Sequence, residues 1–221
     1  MKKIMILMLA IFIAIPAIQA KDKYFTGKIT YQISFDMENL PEEARGMLPK
    51  TMSMLIGEHH VKTVLFTQVG KQSSIIDLKN KTKVALMDIM GQQYAIETSE
   101  EEMMKEIGEA KDFSVDITDE SKEIAGYNCY KVKIKNSEGN MMGEAWFTKE
   151  IEVNPAINYG DQVFHNVEGL LMEFELDAGQ GMMMQFTAVD VEKEKVKEKE
   201  FEVPEGYQKT TREELMRTFG G

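Results

Sequence analysis

Across residues 25–35 the apolar residues Phe25, Ile29, Tyr31, Ile33 and Phe35 fall on odd positions with Gly27 in register, and Thr26, Lys28, Thr30, Gln32 and Ser34 lie between them. A period of two predicts a strand with one face on a core and the other in water. The next stretch, ENLPEEARGMLPKTMSMLIG, changes period. Pro41 followed by Glu42 and Glu43 suits a helix start. Leu40, Ala44, Met47, Leu48, Met52, Leu55 and Ile56 then recur at helical spacing. Pro49 interrupts that pattern and Gly57 ends it, which predicts one broken amphipathic helix packed on the sheet.

Strand-like runs return in VKTVLFTQV, SSIIDL, KVALMDIM and QYAIET, divided by turn residues such as Gly70, Asn80 and Gly91. Short strands at this spacing predict an antiparallel meander. Ser99 is placed to cap a short helix over SEEEMMKEIG. FSVDI, AGYNCYKVKIK and MMGEAWFT predict further strands, the last two joined by a turn at SEGN. Leu170, Met172, Phe174 and Leu176 share one face of a later strand, and Met182, Met184 and Phe186 one face of another. The run EKEKVKEKE reads as a solvated edge or linker, and Thr211 with Glu214 as a capping box for a last helix, REELMRTF. The expected class is α+β, mainly β, with residues 21–221 forming a single domain.

Residues 1–20 stand apart from this pattern. Lys2 and Lys3 precede an uncharged apolar run over residues 4–15, and Pro16 leads to small residues ending at Ala20. That is the layout of a cleavable export signal, and its apolar run is shorter than the roughly 20 residues of a membrane-spanning helix. Cleavage after Ala20 leaves Lys21 first, not a cysteine for lipidation, and no transmembrane segment in the mature chain. The expected location is the periplasm or the cell exterior. The net charge of −11 argues against nucleic acid and against electrostatic binding to anionic lipid. It leaves a ligand held by apolar burial open. Cys129 is the lone cysteine, so no internal disulfide can form and a buried thiol is expected.

Catalytic chemistry finds little support. His59 and His60 are adjacent, so on a strand they point to opposite faces, and His165 sits alone in an expected loop. Hydrolase-elbow, phosphate-loop and zinc-binding motifs are missing from the sequence, so neither an enzyme nor a cofactor is expected. Methionine is the unusual feature: three of the eighteen lie in residues 1–20, and the other fifteen include clusters at Met52 and Met54, Met103 and Met104, Met141 and Met142, and Met182 to Met184. Three readings fit: a copper(I) site, a compliant lining for an apolar ligand, and ordinary core filling.

FTGKITYQISF, EIAGYNCYKVKIK, AWFTKEI, EGLLMEFEL and FEVPEGYQ, in that order, resemble an exported bacterial family called domain of unknown function 4412, common in Bacteroidetes. The block from Ile124 to Cys129, followed by Trp146, Phe147 and Thr148, carries the resemblance most specifically. It implies a fold similar to periplasmic lipoprotein carriers, a curved antiparallel sheet forming a half-open barrel with a few helices on its concave side. A hydrophobic or lipid ligand would then contact Ile29, Tyr31, Ile33 and Phe35 on the first strand, and Met52 and Leu55 on the plugging helix. Met172, Phe174, Met182, Met184 and Phe186 would complete the lining. The alternative is an envelope scaffold that engages a protein partner and no small ligand.

Overall fold

The computed structural model describes residues 24–35, 46, 48–67, 70–89, 91–177 and 182–219. The expected export signal and the front of the predicted broken helix lie outside them. Among the described residues twelve strands form one sheet. The chain starts with β1 (Gly27–Phe35), β2 (Thr51–Ile56), β3 (His60–Thr67), β4 (Gly70–Asp77), β5 (Thr82–Ile89) and β6 (Gln92–Thr98). After helix α1 (Glu100–Ile107) come β7 (Ser114–Ile124), β8 (Tyr127–Lys135), β9 (Met141–Thr148), β10 (Leu170–Asp177) and β11 (Met183–Lys193). The short β12 (Gln208–Lys209) and helix α2 (Arg212–Phe219) end it. The spatial order is β12-β6-β5-β4-β3-β2-β1-β11-β10-β9-β8-β7.

All neighbours pair antiparallel except β12, which runs parallel to β6. Two meanders, β2–β6 and β7–β11, are therefore joined by β1, which lies between β2 and β11. The sheet is strongly curved and unclosed, a half-open barrel with few helices. Both capping boxes form. Ser99 Oγ accepts the Glu102 N–H while the Glu102 carboxylate accepts the Ser99 N–H, and Thr211 with Glu214 repeats the exchange.

Residues 51–56 correct the sequence reading, for they are strand β2 and not the back of a helix. Met52, Met54 and Ile56 alternate onto the concave core, while Leu55 points through the opposite face. There Leu55 joins a second apolar cluster of Ile75, Leu86, Ala95 and Phe201. A strand buried on both faces loses the apolar-polar alternation that identifies it, and its residues then mimic helical spacing.

The concave face is covered mainly by irregular chain. α1 contributes Met103 and Ile107, and the segment 149–169 between β9 and β10 inserts Ile151, Val153, Ile157, Phe164 and Val167 into the core. Asn166 pins this segment, its Nδ2 lying 2.9–3.2 Å from the carbonyl oxygens of Ala110, Lys111 and Phe113. Gly143 on β9 makes room for it, because a Cβ there would lie 2.7 Å from Val163 Cγ1. A Gly143→Ala protein should accordingly lose about 1–3 kcal/mol of stability in urea denaturation, as overpacked cores do. Unchanged stability would show that segment 149–169 does not dock against β9.

Candidate functional site

The expected ligand-contacting residues divide into three groups. Ile29, Tyr31, Ile33, Met172, Phe174 and Phe186 are buried in the main core, with Phe35 and Met184 packed at its margin. Met52 is also buried on the concave face. Leu55 lies on the other face of the sheet, and Met182 is half-buried just ahead of β11. Phe174 is the centre of the aromatic packing. It stacks on Phe186 at 5.0 Å and meets Tyr31 and Phe164 edge-on at 5.8 and 6.1 Å. Such contacts fix rings more tightly than burial alone.

Tyr31 also ties two strands together. Its hydroxyl donates to the Leu171 carbonyl at 2.8 Å, reaching from β1 over β11 to β10. The register of β10 against β9 shifts between Leu171 and Glu173 at a bulge. Burial holds the Tyr31 phenol far above its ordinary pKa, so it stays a donor.

Beside this packed cluster lies a cavity of about 280 Å³. One wall is the first meander, with Met52 and Met54 of β2, Val61 and Thr63 of β3, Ser74 and Ile76 of β4, and Lys83 of β5. Leu170, Leu171, Phe174 and Leu176 of β10 form the facing wall, which only a curved sheet can bring opposite β3 and β4. Residues 157–161 complete the lining.

Polar groups gather at the margin formed by β5, α1 and segment 149–169. Lys83 Nζ lies 2.7 Å from Glu106 Oε2, and Arg212 Nη2 lies 2.8 Å from Glu106 Oε1. Burial raises the Glu106 pKa, and the two cations outweigh it, leaving the carboxyl below its ordinary value. Asp161 Oδ1 accepts the Val163 and Phe164 N–H groups, both at 2.7 Å. Asn158 Nδ2 donates to the carbonyls of Val167 and Gly169. Tyr159 is 7% exposed, and its buried hydroxyl has no hydrogen-bond partner among the described residues. An unsatisfied buried hydroxyl costs about 1–3 kcal/mol.

A wider depression of about 350 Å³ crosses β8–β11 and is lined by Lys131, Glu144, Glu173 and Glu175 with Met142 and Met183. Lys131, Glu144 and Glu173 are already engaged, Lys131 on Glu144 at 2.6 Å and Glu173 on Lys122 at 2.7 Å. Cys129 is fully buried, and burial raises its thiol pKa, which suits a packing residue. The methionines are dispersed, with Met103 and Met172 buried and Met104, Met141, Met142 and Met183 exposed. Among the described residues no group of three or more His, Cys, Asp or Glu side chains is placed to hold a metal, and no helix is long and apolar enough to cross a membrane.

No known family matches the sequence, and no curated protein matches it either. Solved structures do resemble the fold. PNGF-II in a C2 crystal form is similar at a TM-score of 0.51 and 17% identity, over 87% of this chain and 32% of that one. The P21 form gives a TM-score of 0.52 at 17% identity, over 89% and 33%. This chain thus spans about a third of the PNGF-II chain. A LolA superfamily protein from Nitrosomonas europaea, NE2245, gives a TM-score of 0.38 and 9% identity over 81% of this chain and 91% of that one.

Sequence reasoning missed Lys83, Asn158, Tyr159 and Asp161. The run PAINYGDQVFHN has neither helical nor strand period, and its only signal is apolar residues set among Asn, Asp and Gly. His165, in the same run, accepts the Gly160 N–H on Nδ1 at 3.4 Å, which requires an uncharged nitrogen there. Burial lowers its pKa below 6.5, and the Asp161 carboxylate only partly opposes this. Its contribution to stability is therefore full above pH 6.5 and is lost as the pH falls through the folded value. Urea midpoints should decline over that window, and His165→Asn should remove this part of the decline. An identical decline in the variant would exclude His165 as its source.

Proposed function

We propose that this chain is an exported, non-catalytic binding protein of the cell envelope, which holds a small hydrophobic ligand or the tail of a lipid in the concave cavity. The observation that carries the reading is the 280 Å³ space between β2–β5 and β10, whose walls are mainly Met, Val, Ile, Leu and Phe side chains, with Thr63, Ser74 and Lys83 among them. An apolar cavity of about 150 Å³ takes one benzene, so this one has room for roughly ten carbon atoms. Burying them is worth about 0.8 kcal/mol per methylene. Ten carbons give about 8 kcal/mol, equivalent to micromolar affinity before the cost of immobilising the ligand, so the affinity expected is weaker than micromolar. Met52 and Phe174 would touch the ligand, together with Met54, Ile76 and Leu171. Ile29, Tyr31, Ile33, Met172 and Phe186 would form the packed base that keeps the cavity open. The apolar, adaptable Met pair of β2 suits a flexible chain.

The second reading is a scaffold that engages an envelope protein and no small ligand. Segment 149–169 favours it, since Ile151, Ile157, Phe164 and Val167 already occupy much of the concavity. One substitution separates the two. Thr63 lines the cavity as a small residue, so Thr63→Trp should fill it. The carrier reading expects the parent protein to brighten the neutral probe N-phenyl-1-naphthylamine, and Thr63→Trp to bind it at least tenfold more weakly while losing only about 1–3 kcal/mol of stability. Probe binding absent in the parent, or equal in both proteins, would favour the scaffold.

A further inference from the structure

We infer that Leu176 sets the length of the apolar chain that the cavity accepts, by standing between the cavity and the depression across β8–β11. The inference rests on the binding function just proposed and names a specificity determinant of the same site. Two observations carry it. The first is that the 280 Å³ cavity and the 350 Å³ depression share two lining residues among those described, Phe174 and Leu176. Those two side chains of β10 are the partition between the two spaces.

The second observation is that the sheet parts beside them. The β9–β10 ladder ends at Ala145 and Phe174, although β9 runs on to Met141 against β8 and β10 to Asp177 against β11. Past Phe174 the two strands are no longer paired, and the depression is lined by both, with Gly143 on β9 and Leu176 on β10.

The two members of the partition are held unequally. Phe174 is 6% exposed and is fixed by ring contacts with Tyr31, Phe164 and Phe186. Leu176, two residues on and so on the same face, is half-buried. It has Met184 of β11 opposite it and no paired β9 residue on its other side. Leu176 is thus the side chain whose size decides where an apolar chain in the cavity must stop. A chain of roughly ten carbons fills the cavity as it stands. Trimming Leu176 opens the space beyond it to a longer one.

Displacement of N-phenyl-1-naphthylamine by straight-chain 1-alkanols of six to twelve carbons, each below its solubility limit, tests this. In the parent protein each added carbon should strengthen competition about fourfold, the worth of one buried methylene, up to a break at about ten carbons. In Leu176→Ala the fourfold steps should continue to dodecanol, and in Leu176→Phe the break should come at a shorter chain. Urea denaturation establishes that each variant is folded, and should Leu176→Ala not fold, the shorter break of Leu176→Phe decides alone. A parent series that rises without a break, or a break at the same length in the parent and in a folded variant, would overturn the inference and leave the cavity reading intact. A parent protein that binds no probe would remove both.

Discussion

A sheet that coils without closing leaves an apolar concave face with no second sheet to meet it, and the rest of this structure answers that constraint. Burial of such a face is worth roughly 25 cal/mol per Å², so it cannot stay wet. Three devices cover it. Phe174 gathers Tyr31, Phe164 and Phe186 into one aromatic cluster at the centre. α1 lays Met103 and Ile107 over the first meander, and segment 149–169 fills the space in front of β10. The Tyr31 hydroxyl fixes the curvature where β1, β11 and β10 cross.

The candidate site follows from how irregular chain meets a smooth curved surface. A regular helix presents a continuous stripe, whereas segment 149–169 turns repeatedly on Asn154, Asn158, Asp161 and Asn166. Those turns spend the polar side chains on backbone groups and send apolar ones inward. The residual space lies where the segment changes direction, between residues 157–161 and the strands. Its apolar walls belong mainly to the sheet, and its polar margin joins Lys83 of β5 to Asn158 and Asp161 of the covering segment, so one end differs chemically from the other.

Much of the architecture was legible in the sequence, and the exceptions share a cause. β1 declared itself because one face is buried and the other wet. Both short helices were visible through their caps, Ser99 and Thr211. β2 was not, since Met52, Met54 and Ile56 face the core while Leu55 packs against the cluster that contains Phe201. The charged run before Phe201 read as linker, which hid the apolar anchor at its end. Of the expected ligand residues, Met52 and Phe174 reach the cavity lining, and most of the others are spent on the packed base. Tyr159 and Lys83 escaped notice because nothing local marks them. Their proximity comes from sheet curvature, a property of strand pairing over the whole chain.

The central position of β1 bears on how the chain reaches this state. Lys28 and Glu192, which pair across β1 and β11, are separated by 164 positions. The first meander closes through short connections and the second also spans segment 149–169, but their union requires positions from opposite ends of the chain to meet. Non-local pairing of this kind slows folding, because closure entropy precedes the contacts that repay it. The two halves are thus able to form early as partial sheets, each with an unsatisfied edge. The cavity, whose walls come one from each half, is complete only when β1 and β11 have paired.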